Sequence, residues 1–148
     1  MLTQPLLALD YGSRRIGVAV SDELALFAHP RSALKGAGRK LFSQIQNLVS
    51  SENISEVIVG LPLTLEGGES EQTKLTRKWI KHLREVLDVP VTEWDERLTS
   101  IQADKILNEA GRSRKNRRSG ERDSAAAAII LQTVLDSRRV EGKYSNGQ

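Results

Sequence analysis

Two short apolar segments lie back to back near the N-terminus, and they restrict the fold more than any other feature. Leu6-Leu7-Ala8-Leu9 is a nearly continuous apolar run, bounded by Pro5 and by the turn-forming Asp10-Tyr11-Gly12-Ser13. Directly after it, Ile16, Val18 and Val20 recur at period two within Arg15–Asp22. The first run reads as a buried strand, the second as its neighbour, and so short a turn makes them a hairpin. A weaker third strand is expected near Phe27–Ser32, where Pro30 confines it to a sheet edge.

The rest of the chain alternates helix and strand patterns. Leu41, Ile45, Leu48 and Val49 mark an amphipathic helix over Gly38–Ser51. Glu56–Gly60 reads as a buried strand followed by Leu61-Pro62, and Gly67-Gly68 as a loop. Leu75, Trp79, Leu83, Val86 and Leu87 define a helix from about Ser70 to Asp88, with Trp79 on its core face. Val89–Trp94 predicts a strand with Pro90 near its start. A helix capped at Thr99 or Ser100 is expected to reach about Ala110 and stop at Gly111. Arg122–Arg138 carries Ala127, Ile130, Leu131, Val134 and Leu135 on one face, and a polar tail is expected over 140–148. The order β-β-β-α-β-α-β-α-α implies an α/β fold. Its central five-stranded mixed sheet has the first three strands antiparallel and helices on both faces.

At 148 residues, a single domain over 1–148 is expected. The absence of Cys excludes disulfides, thiolate metal sites and cysteine nucleophiles, and His29 and His82 are given no role. The longest apolar run, Ala125–Leu131, is far short of the ~20 residues that span a bilayer. No membrane association and no secretory leader are expected, which makes the cytoplasm the default compartment.

The net charge of +3 conceals a concentration of bases. Arg112, Arg114, Lys115, Arg117, Arg118 and Arg122 face one acid, Glu121, a local +5 that leaves the remaining chain at −2. With no apolar residue, 112–122 is expected to be an exposed, mobile loop. It is either a grip on a polyanion or a solvated connector.

Three carboxylates are placed where an open α/β sheet binds ligands. Asp10 closes the first strand, Asp95-Glu96 follow the last strand, and Asp123 stands at the start of the final helix. If the first, fourth and fifth strands are parallel neighbours, Asp10 and Asp95-Glu96 emerge at one edge. Such an oxygen-only set suits Mg²⁺ or Mn²⁺. Two such ions clamp the attacking and leaving oxygens of a phosphodiester displacement, chemistry that needs no nucleophilic side chain. Each acid also has a plainer reading: a turn residue for Asp10, a surface pair with Arg97 for Glu96, a helix-start carboxylate for Asp123. Gly12 is expected to take a positive φ in its turn, and Gly17 to mark a bulge or close approach. Arg14 and Arg15 are candidates for holding a phosphate, and Gly60 and Pro62 for lining the cleft. Trp94 is either core or a surface beside the acids.

Leu9-Asp10-Tyr11-Gly12-Ser13-Arg14-Arg15-Ile16-Gly17-Val18-Ala19-Val20-Ser21-Asp22 resembles the opening motif of the YqgF/RuvX family. Val59-Gly60-Leu61-Pro62-Leu63, Asp95-Glu96-Arg97-Leu98-Thr99 and Asp123-Ser124-Ala125-Ala126 follow in the family's order, so the resemblance spans about 5–138. It implies an RNase H-like fold and a catalytic, metal-binding site of Asp10, Glu96 and Asp123, with Asp95 a substitute for Glu96. It implies a nuclease holding two divalent ions with substrate, acting in 5′-end maturation of pre-16S ribosomal RNA. The alternatives are a resolvase of DNA Holliday junctions or a non-catalytic nucleic-acid-binding module. Arg14, Arg15, Arg97, Arg114, Lys115, Arg117 and Arg118 are the candidate nucleic-acid contacts, and the expected state is a monomer or weak homodimer. One position departs from the family: Thr64 stands where an Asn is usual after Gly-Leu-Pro.

Overall fold

A computed structural model describes residues 4–12, 14–97 and 124–145, with side chains as far as Arg139. Strands β1 (Leu6–Tyr11), β2 (Arg15–Ser21) and β3 (Ala28–Lys35) precede helix α1 (Gly38–Ser51). Strand β4 (Glu56–Leu61), helix α2 (Glu71–Val86), strand β5 (Val91–Asp95) and helix α3 (Ala125–Ser145) follow. The helix expected over 99–110 and the basic segment 112–122 lie outside the described residues.

The five strands form one sheet in the order β3-β2-β1-β4-β5. β1–β2 and β2–β3 are antiparallel, whereas β1–β4 and β4–β5 are parallel. The hairpin register pairs Leu7 with Val20 and Leu9 with Val18, so their side chains share a face. That face, with Val57 and Val59, packs against Leu41 and Ile45 of α1 and Trp79, Ile80 and Leu83 of α2. The opposite face carries Ala8, Ala19 and Ile58 and receives Ala127, Ile130, Leu131 and Val134 of α3. Helices therefore cover both faces. The small residues on the second face allow α3 to lie close to the strands.

Several boundaries differ from expectation by a residue or more, three of them for identifiable reasons. β3 continues to Lys35 because its pairing with β2 resumes at Leu34 after a register shift beyond Arg31, and Pro30 lies on this edge strand, as its missing N–H requires. β5 starts at Val91: Pro90 has no amide to donate, although its carbonyl accepts from Val57 N at 2.9 Å. α3 runs on to Ser145, past the expected start of the tail at 140, because no proline interrupts it and Gly142 only weakens it. Ser70, the expected start of α2, is its cap, through a Ser70–Thr73 capping box, and the helix ends at Val86, short of the expected Asp88.

Glu56 ties α3 to the start of the sheet. Its carboxylate accepts from Arg138 at 2.8 and 2.9 Å and from Thr92 Oγ1 at 2.7 Å. The Arg138 hydrogen bonds, opposed by partial burial, hold its pKa below the ordinary 4.5. A depressed carboxylate pKa stabilises the fold above the unfolded value, and that stability disappears as pH falls through the folded value. Glu56→Gln is expected to cost about 1 kcal/mol at neutral pH, the half-exposed arginine limiting the effect. Thermal melts of the two proteins should converge as the buffer is taken below about pH 4, where carboxylates become protonated. A constant gap at every pH would mean that the pair contributes only packing.

Candidate active site

The parallel arrangement of β1, β4 and β5 brings their carboxyl ends to one edge, and two acids meet there. The register Leu9↔Val59 sets Asp10 abreast of Gly60, and Gly60 is paired in turn with Trp94 of β5. One further ladder bond, Glu96 N to Leu61 O at 3.1 Å, holds the backbone of Glu96 at the end of β5. The Glu96 side chain crosses above β4 and shares a hydrogen bond with the Asp10 carboxyl.

Gly60 makes this crossing possible. A Cβ there would stand 2.6 Å from Glu96 Oε1 and 2.7 Å from Ile130 Cδ1, distances that real Cβ atoms do not tolerate. Gly60 therefore lies beneath Glu96. Pro62 is likewise drawn into structure: its carbonyl accepts the Thr73 hydroxyl, which fastens the end of β4 to the start of α2.

The pair carries a proton unusually readily. Burial raises the pKa of Asp10, with the Glu96 hydrogen bond acting in the opposite sense. Glu96 is pushed up to about 7, by burial first, then by the nearby Asp10 charge and hydrogen bond, and by Asp95. Two carboxylates this close cannot both ionise cheaply without a cation.

Asp95 points elsewhere. Arg97 grips it through Nη2 at 2.6 Å and through Nε at 3.0 Å, and this holds its pKa below the ordinary carboxylate value. Arg97 Nη1 also reaches the Leu65 carbonyl at 3.3 Å, and its guanidinium lies over Gly67. The expected Glu96–Arg97 surface pair is thus an Asp95–Arg97 clamp on the 63–69 loop, and Glu96 is the acid that joins Asp10. Within that loop the Thr64 hydroxyl accepts from Gly68 N at 2.8 Å, which closes the turn from inside.

An open cleft of about 500 Å³ adjoins Asp10, lined also by Gly12, Arg14, Arg15 and Gly17. Gly12 does not adopt the positive φ expected for its turn. Its need for glycine is steric, since a Cβ would lie 2.7 Å from the Arg15 carbonyl oxygen. The register shift expected at Gly17 is present, between Ile16 and Val18 in the β2–β3 pairing. There the Val18 amide donates to buried Ser124 Oγ at 2.9 Å. That bond fixes the first described residue before α3 beside Gly17, the register partner of Asp10. Asp123 itself, with Arg114, Lys115, Arg117 and Arg118, lies outside the described residues. Among the described residues, no group of three or more His, Cys, Asp or Glu converges. Trp79 is core, stacked on Tyr11 at 4.6 Å. Trp94 packs on the α3 side of the sheet.

A five-stranded mixed sheet with paired acids at its parallel edge defines an RNase H-like fold, and solved structures agree. RuvC of Thermus thermophilus in complex with Holliday junction substrate superposes with a TM-score of 0.58 at 14% identity, covering 92% of this chain and 96% of that one. Residues 4–137 match the family described as "RuvX: Holliday junction resolvase". Relatives named "Putative pre-16S rRNA nuclease" are similar over most of the chain. That of Halothermothrix orenii is 39% identical, over 88% of this chain and 94% of the relative. That of Chloroflexus aurantiacus is 40% identical, over 94% and 91%. The protein belongs to the RuvX family. Among the described residues no helix is long and apolar enough to cross a membrane.

Proposed function

We propose that the protein is a divalent-metal-dependent nuclease that hydrolyses phosphodiester bonds in structured nucleic acid, with the 5′ end of precursor 16S ribosomal RNA as its substrate. The observation that carries this reading is the Asp10–Glu96 pair, two half-buried carboxyls held together at the parallel sheet edge beside an arginine-lined cleft.

The donor set fits Mg²⁺ or Mn²⁺: oxygen ligands only, whose mutual repulsion a divalent cation relieves. Asp10 and Glu96 would hold the metal, and Asp123 is proposed as the third ligand. Two ions held there would supply an activated water and stabilise the leaving oxygen. The chain's own contribution is placement. The β4–β5 ladder and Gly60 fix Glu96 against Asp10, and the Asp95–Arg97 clamp removes the competing acid. Arg14 and Arg15 border the same cleft and attract the phosphodiester to it. Water oxygen forms the new bond to phosphorus, and the 3′ oxygen departs with a proton. Arg114, Lys115, Arg117 and Arg118 are proposed to grip flanking phosphates.

The test is a cleavage assay on a precursor 16S 5′-leader transcript and on a four-way DNA junction, in Mg²⁺, Mn²⁺ or EDTA. Cutting of the transcript at its 5′ end, abolished by EDTA, is the expected result. Undiminished cleavage in chelator would remove the metal. Junction cleavage without transcript cleavage would assign DNA as the substrate, the activity named in the family description.

A further inference from the structure

The acidic cleft has a neighbour. A second cavity of about 140 Å³ lies between the β1–β2 turn and the start of α1, lined by Tyr11, Gly12, Arg14, Gly36, Gly38 and Phe42 among others. Gly12 and Arg14 line both cavities, so the two meet across that turn. The Tyr11 ring is already stacked on Trp79, which leaves Arg14 as the charged side chain of the lining.

The surroundings are cationic. From Leu24 to Ser51 the sequence contains no Asp or Glu, and its bases are Arg31, Lys35, Arg39 and Lys40. Arg31 is occupied by Glu52 at 2.6 Å. Lys35 is brought alongside Arg15 by the β2–β3 register, and Arg39 and Lys40 stand in the first turn of α1. Lys35, Arg39, Lys40 and Arg14 are exposed and form no ion pair among the described residues. Arg77, Arg97 and Arg138, by contrast, are each bound to a carboxylate. Arg14 lines the cavity, and Lys35, Arg39 and Lys40 flank its Gly36–Gly38 wall in sequence, so these unpaired bases keep their charge available for a polyanion. The first turn of α1 also lacks any acid and any side-chain cap, which leaves its amide dipoles directed the same way.

We propose that a nucleic-acid strand leaving the acidic cleft passes over the β1–β2 turn, and that Arg14, Lys35, Arg39 and Lys40 hold its next phosphates at the α1 end. This rests on the reading of the acidic cleft as the place where a phosphodiester lies. It adds a second anchoring surface, remote in sequence from the basic segment 112–122. Phosphate contacts of this kind set the register of a strand without reading its bases.

The test measures binding in EDTA, with a short fluorescein-labelled single-stranded RNA, shown intact on a gel afterwards, titrated at several salt concentrations. Combined Lys35→Gln, Arg39→Gln and Lys40→Gln should weaken binding about tenfold or more and reduce the log–log salt slope by about 2, roughly 0.7 per lost contact. The three side chains are exposed, so thermal midpoints should match and confirm an intact fold. Lys74→Gln, Lys78→Gln and Lys81→Gln on exposed positions of α2 serve as the charge-matched control and should leave the slope unchanged. Equal losses in both triple variants, an unchanged slope in the first, or no measurable binding by the wild-type chain would each overturn the proposed path. A slope that falls as expected in a protein that cuts no substrate would keep the path and reject the nuclease reading.

Discussion

Asp10→Asn should abolish cleavage while making the metal-free protein more stable. Loss of one ion-holding carboxylate removes several kcal/mol of transition-state stabilisation, which corresponds to about 10³-fold or more in turnover. The stability change follows from the pair's shared proton. Glu96 has a folded pKa of about 7 against an ordinary 4.5. A carboxyl raised in this way supports the fold fully below its unfolded pKa and loses that support as pH rises through its folded pKa. The metal-free wild type therefore weakens between about pH 4.5 and 7, where the pair is forced to ionise. An Asn at position 10 removes the like charge and keeps a hydrogen-bonding partner for Glu96. At pH 8 the variant should melt a few degrees higher in EDTA, a gain of the order of 1 kcal/mol after allowance for partial exposure. Near pH 4 the two melts should converge. Mn²⁺ should raise the wild-type midpoint by mass action and leave Asp10→Asn unmoved. Near-wild-type turnover would remove Asp10 from the site, and an unchanged or lowered midpoint at pH 8 would mean that the two carboxyls do not oppose one another.

The acidic edge was readable from the sequence because strand ends are set by local pattern. Alternating Ile16, Val18 and Val20, the apolar run before Asp10 and the run before Leu61-Pro62 fix three strands. Parallel pairing of β1, β4 and β5 then brings Asp10 and Glu96 together. What pattern did not reveal is which neighbour each side chain selects. Glu96, and not Asp95, turns toward Asp10, because Arg97 captures Asp95 and the space above Gly60 admits the longer side chain. Gly12 serves a close contact with the Arg15 carbonyl and not a left-handed turn, a distinction only the folded hairpin makes. The cations of β3 and α1 are scattered singly along the sequence and gather only through the β2–β3 register and the position of α1. A signal did exist there, in the run from Leu24 to Ser51 that contains no acid.

Gly60→Ala tests whether the position of Glu96, as distinct from its chemistry, governs the reaction. The added methyl would overlap Glu96 Oε1 at 2.6 Å and Ile130 Cδ1 at 2.7 Å, so both side chains must move. Neither is backbone, and the strand itself can stay in its ladder with Leu9–Asp10 and Trp94. The expected stability loss is therefore moderate, about 1–3 kcal/mol as for other overpacked sites. The catalytic loss should be larger, about 10²-fold, the usual consequence of misplacing a reacting group by an ångström. Displaced Glu96 would no longer share its proton with Asp10, so the rise in its pKa should shrink. The metal-free stability of Gly60→Ala should then depend less on pH between about 4.5 and 7 than that of the wild type, the range over which the paired carboxyls titrate. A double-mutant cycle with Glu96→Gln separates placement from packing. If Gly60→Ala acts through Glu96, its effect on turnover should largely vanish in the Glu96→Gln background, while its cost in stability through Ile130 persists. Additive losses of turnover would show that Gly60 matters for the packing of α3 on the sheet and not for the carboxylate pair.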